Sequence, residues 1–193
     1  MLYRFSMRIL PRSTGVALAA LATLLLSGCL PSTPVVTPEP LPSSTPVFAS
    51  DADALAAATD AYRAYVEVSD QIARDGGVEP ERLSPLVTPE WLAKEVASFN
   101  KFAKLSRHQT GSTSFRVTGL QGVHDDGHGG VSVGAYVCTN VSGTRFLDAS
   151  GTDVTPADRV SRVSLEVTFK GTPPASSQLV LARNEPWSGT GVC

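Results

Sequence analysis

Long apolar runs are scarce in this sequence. The longest, Gly15 to Leu26, has twelve residues, whereas a helix crossing a bilayer core needs about 20. Cysteine is scarce too: Cys29, Cys138 and Cys193 are the three present, with no CxxC pair and no metal-type spacing. There is no GxSxG, no HExxH, no phosphate-binding loop and no dinucleotide glycine fingerprint. No catalytic residue, no metal ligand and no cofactor is therefore assigned from motifs. Lysine is thin, with four residues against twelve arginines, and no basic stripe runs along the chain. That argues against a nucleic-acid partner.

What is present begins with an address. Arg4, Arg8 and Arg12 come first, without an acidic residue; the apolar run follows, then Leu26-Ser27-Gly28-Cys29. Met7 as the start would still leave Arg8 and Arg12 ahead of the run. Basic then apolar is the order of a secretory leader. The four-residue box resembles the lipobox of bacterial lipoproteins, in which the cysteine thiol is acylated and becomes the mature N-terminus. The resemblance implies a signal peptide over residues 1–28 and a lipid on Cys29. It also implies a place on the extracytoplasmic face of the cell membrane. An ordinary leader with an incidental cysteine, or an uncleaved anchor, is the alternative. Each buried methylene contributes about 0.8 kcal/mol, so two acyl chains hold where one is marginal.

Removing residues 1–28 removes three arginines and no carboxylate, leaving 13 basic against 18 acidic side chains, a net charge of −5. Cys138 and Cys193 are then an even pair in an oxidising compartment and read as one disulfide, with two free thiols as the alternative. The chain-entropy account values such a loop at about 4 kcal/mol. The bond would also hold the last residue, which otherwise frays.

Residues 29–50 form the anchor cysteine and a linker. Leu30 to Ser50 holds six prolines, many serines and threonines, and Glu39 as its one charge. Such a segment cannot bury a core; an extended, polyproline-like spacer of about 3.1 Å per residue is expected, and O-glycosylation is an option for it.

Residues 51–193 are long enough for one domain with a core. Ser50 with Asp53 resembles a capping box, and Leu55, Thr59, Tyr62, Val66, Ser69 and Ile72 recur at helical spacing up to Gly76-Gly77. Thr88, Pro89 and Glu90 start a second helix, whose apolar face is Trp91, Leu92, Val96, Phe99, Phe102 and Ala103. A short helical turn is expected between them, over Pro80 to Leu86. After Gly111 the period becomes two, in 113–118, 131–138 and 162–170, with a short strand near Thr144–Leu147 and a last one from Leu179. One-sided alternation means an antiparallel sheet. Helices followed by such a sheet make an α+β fold with the helices on one face. Trp91, Val96, Phe99, Phe115, Val133, Val137, Leu165 and Val167 are the expected core.

The segments AYRAYVEV, TPEWLAKEVASFNKF, GSTSFRV, VGAYVCTNVSG, RVSLEVTF and EPWSGTGVC cover most of residues 55–193. Together they are similar to lipoproteins of high-GC Gram-positive bacteria that carry a nuclear transport factor 2-like (cystatin-like) domain. The resemblance implies N-terminal helices wrapped by a curved, mostly antiparallel sheet, forming a cone. It implies a fold and a compartment, and no reaction.

Several clusters have two readings. His124-Asp125-Asp126-Gly127-His128 offers two imidazoles and two carboxylates to a divalent metal, but Gly129-Gly130 follows, which favours an exposed hairpin turn without metal. Tyr62, Tyr65, Trp91, Phe99 and Phe102 suit core packing, or the lining of a pocket. Arg116, Arg162, Glu166 and Lys170 fall on outward strand positions and suit cross-strand ion pairs. Asp60, Asp70, His108 and Tyr136 are the residue types a cone-fold isomerase or dehydratase uses, but no pattern links them. Trp187 is expected to pack the tail on the sheet near Cys138. The expectation is a lipid-anchored envelope protein with a non-catalytic binding domain. Its partners are the membrane and an envelope protein or cell-wall component. The alternative is a small cone-fold enzyme or ligand-pocket protein, which an open cone with a buried carboxylate would favour.

Overall fold

A computed structural model describes residues 45–174 and 176–193. The expected leader, Cys29 and the expected linker up to residue 44 lie outside the described residues. The order is α1 (Asp51–Arg74), a 3-10 turn (Pro80–Leu83), α2 (Pro89–Lys104), β1 (His108–Thr110), β2 (Ser114–Asp125), β3 (Val131–Asn140), β4 (Arg145–Leu147), β5 (Arg162–Gly171) and β6 (Val180–Pro186). The class is α+β, with the helices packed on antiparallel sheets.

Both helix starts are local chemistry. Ser50 Oγ accepts from the Asp53 N–H at 3.2 Å, and Thr88 Oγ1 accepts from the Trp91 N–H at 3.4 Å. Each satisfies one of the first-turn donors a helix leaves open. Gly76 and Gly77 end α1 with φ of +78° and +87°, where a side chain would be strained. A Cβ on Gly77 would also meet the Phe99 carbonyl oxygen at 2.7 Å, so the glycine lets the end of α1 approach α2.

Tyr62, Val66 and Ile72 of α1 are buried as expected, but at Leu55, Thr59 and Ser69 the buried position is a neighbouring residue. Ala54, Ala58, Tyr62, Tyr65, Val66, Asp70 and Ile72 are buried, whereas Leu55, Thr59 and Ser69 are half-buried. Two alanines bring the helix backbone close to the sheet, and Leu55 falls at the edge of the contact. Val47 and Phe48, at the end of the expected linker, also pack on the core.

Strands β2, β3, β5 and β6 form one sheet in that order, each pair antiparallel. β1 and β4 form a second, two-stranded sheet rather than extending the first. β2 is twice as long as its readable alternation, because bulges fall between Val117 and Gly119 and between Leu120 and Gly122. Each inserts an unpaired residue and bends the strand. Phe115, Val117, Leu120 and Val123 all pack on the core despite their uneven spacing. On β3, by contrast, Val131, Val133, Ala135, Val137 and Thr139 alternate strictly inward.

Of the expected core, Trp91, Val133, Val137 and Val167 are buried, while Val96, Phe99, Phe115 and Leu165 are only half-buried. α2 lies at the rim, so one residue of its broad apolar face, Trp91, is fully covered. Tyr62, Phe169, Ile72, Leu83 and Leu181 are the largest fully buried side chains.

Candidate functional site

The helix-covered side of the four-stranded sheet is filled by the protein's own aromatic residues. Tyr62 is 1% exposed, and its ring centroid lies 4.9 Å from Phe115, 5.8 Å from Tyr65 and 6.4 Å from Phe169. Edge-to-face packing of this kind adds to area burial. The Tyr62 hydroxyl meets Thr139 Oγ1 at 3.2 Å. The Tyr65 hydroxyl donates to Glu95 Oε1 at 2.7 Å, and Trp91 Nε1 donates to the same oxygen at 2.8 Å. Burial raises the pKa of both tyrosines; for Tyr65 the Glu95 charge adds to the rise, and the side chains of Thr139 (at Tyr62) and Asn184 act against it. These phenols stay neutral and serve as hydrogen-bonding core residues. Asn184 reaches the interior because a bulge between its neighbours and Thr168/Phe169 pairs it with Val167; its Oδ1 is buried without a partner among the described residues.

A cavity opens instead at the rim, between α1, α2 and the β1–β4 pair, with a volume of about 220 Å³. Phe99 and Phe102 from α2 and Phe146 from β4 line it, each half-buried. Phe102 and Phe146 meet edge-on at 5.5 Å. Its polar side is Ser69, Asp70 and Gln109. Asp70 Oδ1 accepts from Gln109 Nε2 at 2.9 Å and from the Thr113 hydroxyl at 2.7 Å, and Oδ2 accepts from the Thr113 N–H at 2.7 Å. This carboxylate fastens the turn between β1 and β2 to α1. Ser69 Oγ is buried and has no hydrogen-bond partner among the described residues.

The other face of the sheet carries the C-terminal tail. Cys138 and Cys193 are bonded, with Cα atoms 5.1 Å apart. The Trp187 ring packs on Tyr136 at 5.0 Å, and the Trp187 backbone N–H donates to the Ser164 carbonyl at 2.8 Å. Both the cysteine pair and the tail packing match the reading from sequence.

The remaining candidates have simpler places. Asp125 and Asp126 lie at an exposed hairpin turn between β2 and β3. Asp125 Oδ1 accepts from the Gly127 N–H at 2.7 Å, and Asp126 Oδ1 accepts from the His128 and Gly130 N–H groups at 2.8 Å each. Those bonds hold the Asp126 carboxyl below its usual pKa. Among the described residues no group of three or more His, Cys, Asp or Glu side chains is placed to hold a metal ion. Asp60 is exposed and paired with Arg63. His108 pairs with Leu147 through the backbone of the small sheet. Glu166 accepts from Gln121 Nε2 at 2.9 Å rather than from a cross-strand cation, and the ion pairs of this region are Arg183–Glu185 and Lys94–Glu185 instead. Phe99 and Phe102 do line a cavity, whereas Tyr62, Tyr65 and Trp91 belong to the core. Sequence reasoning missed Phe146 and Gln109, which sit on three-residue strands too short for a period to show.

No family model matches this sequence, and no curated protein does. Among solved structures, the fold is similar to the intermembrane-space region of the chloroplast protein ARC6. That match covers 70% of this chain and 97% of the other, at 12% identity and a TM-score of 0.53. A designed β-sheet protein aligns over 72% of this chain and 92% of its own, at 14% identity and a TM-score of 0.25, too low to carry an argument. At such identities the first likeness is one of fold alone, and it agrees with the α+β class.

Proposed function

We propose that this chain is a lipoprotein of the cell envelope. Acylated Cys29 holds it on the extracytoplasmic face, and its domain binds a partner or ligand rather than catalysing a reaction. The observation that supports the binding reading is the filled face between the sheet and the helices. Where a cone-fold enzyme needs an open interior with a general base, Tyr62, Phe115 and Phe169 occupy the space. The Cys138–Cys193 bond supports an oxidising compartment. The nuclear transport factor 2-like resemblance remains part of this proposal.

One observation favours the enzyme reading: Asp70 is a buried carboxylate beside a cavity. Against it, its oxygens already hold the Thr113 turn and Gln109, which is the work of a structural clamp. Membrane fractionation of wild type and Cys29→Ala tests the anchor. Wild type should sediment with membranes, and the variant should be released or accumulate unprocessed. Membrane retention of a cleaved, unacylated variant would contradict the proposal.

A further inference from the structure

The rim cavity has aromatic walls and a floor that accepts hydrogen bonds. A dry cavity of about 150 Å³ takes a benzene ring, so about 220 Å³ has room for one ring or short alkyl group with a polar end. Asp70 is 7% exposed, and among the described residues it takes part in none of the ion pairs. Its three donors are neutral, and a carboxylate offers about four lone-pair sites. Oδ2, with one bond, keeps an acceptor site open. Gln109 turns its amide nitrogen to Asp70, which leaves its carbonyl oxygen as a further acceptor. Ser69 Oγ lacks a partner, a costly state for a buried hydroxyl.

This chemistry discriminates between ligands. An anion would meet the Asp70 charge, which no ion pair among the described residues offsets. A wholly apolar ligand would leave Ser69 unpaired. An ammonium group supplies the donors these acceptors lack, and its charge is attracted both by the carboxylate and by the faces of the phenylalanine rings. Arg159 already lies over Phe146 at 5.5 Å, held by the Val141 and Thr144 carbonyl oxygens, so the ligand charge belongs at Asp70 and not beside Phe146.

We propose that this cavity binds a small organic amine in its ammonium form. The ammonium donates to Asp70 and Ser69, and the aryl or alkyl group lies among Phe99, Phe102 and Phe146. The proposal deepens the binding reading above and is independent of the anchor.

Calorimetric titration of the full chain in detergent tests it, with 2-phenylethylamine as probe and 2-phenylethanol and 3-phenylpropionate as matched neutral and anionic comparators. The amine should bind with a Kd of about a millimolar or tighter, as expected for so few atoms. It should bind at least tenfold more tightly than the alcohol, and the acid should not bind. Asp70→Asn, which removes the charge and keeps the shape, should weaken amine binding at least tenfold. Ser98→Trp changes an exposed residue at the cavity mouth; it should weaken binding while leaving Asp70 untouched, and it decides the matter if Asp70→Asn does not fold. Equal binding of amine and alcohol, no amine binding, or binding unaffected by Ser98→Trp would overturn the proposal. None of these results would alter the fractionation of Cys29→Ala, so the two readings fail separately.

Discussion

Replacing Asp70 by alanine should be among the most damaging single changes outside the apolar core. In the folded state its carboxylate accepts from the Gln109 amide, the Thr113 N–H and the Thr113 hydroxyl. Hydrogen bonds to a charged acceptor are worth about 1.5–3 kcal/mol each and are not additive. The hydroxyl can rotate toward another acceptor, but the Thr113 N–H is fixed by the backbone and would be left unpaired. We therefore expect Asp70→Ala to cost roughly 3–4 kcal/mol, equivalent to about 10 °C in Tm for a domain of this size. Asparagine should behave differently. Its oxygen can accept from the Thr113 N–H while its amide donates to Gln109 Oε1 after a flip of the Gln109 side chain. Only the charge assistance is then lost, about 1 kcal/mol. Urea unfolding at pH 7 with the disulfide intact measures both. A cost under 1 kcal/mol for Asp70→Ala, or equal costs for the two variants, would refute the clamp.

Removing the Cys138–Cys193 bond by Cys193→Ala should destabilise the domain by about 2–4 kcal/mol. It should also free Trp187 from Tyr136, read as a shift of tryptophan emission to longer wavelength. The buried hydroxyls of Tyr62 and Tyr65 have folded pKa values raised above the unfolded 10.0. Their neutral form is favoured by folding, so this stability is complete below pH 10 and is lost as pH rises through the folded values. Absorbance titration should accordingly show both ionising in step with alkaline unfolding, and free titration near pH 10 would count against their burial. Gly111→Ala should cost about 2 kcal/mol or more in urea unfolding, because φ is +75° there and the added Cβ would lie 2.0 Å from the Gly143 carbonyl oxygen; a neutral substitution would show that the turn relaxes.

Where spacing carried physical meaning, the chain was readable. Ser50 and Thr88 cap the helices they precede, and strict alternation on β3 marks its inward residues. The two cysteines needed only parity and compartment. Elsewhere the period broke for local reasons. Bulges in β2 place Leu120 and Val123 on the core at a spacing of three, which hides half the strand. A bulge against β6 turns Asn184 inward among apolar neighbours. On α1, the alternation of alanine with larger residues concealed that Ala54 and Ala58, not Leu55 and Thr59, face the sheet. The rim cavity depends on β1 pairing with β4 across almost forty residues of chain, a tertiary event with no local signal. Phe99 and Phe102 were visible as apolar helix residues, but their half-exposure follows from α2 lying at the rim.

The proposed acylation of Cys29 would decide where the domain meets a ligand. The direct measurement is the mass of the N-terminal peptide of protein extracted from membranes of the producing cell. The expected peptide begins at Cys29 and carries a diacylglyceryl group on the thiol. A peptide that begins at Cys29 with an unmodified thiol, or one that still contains Gly15 to Leu26, would contradict it.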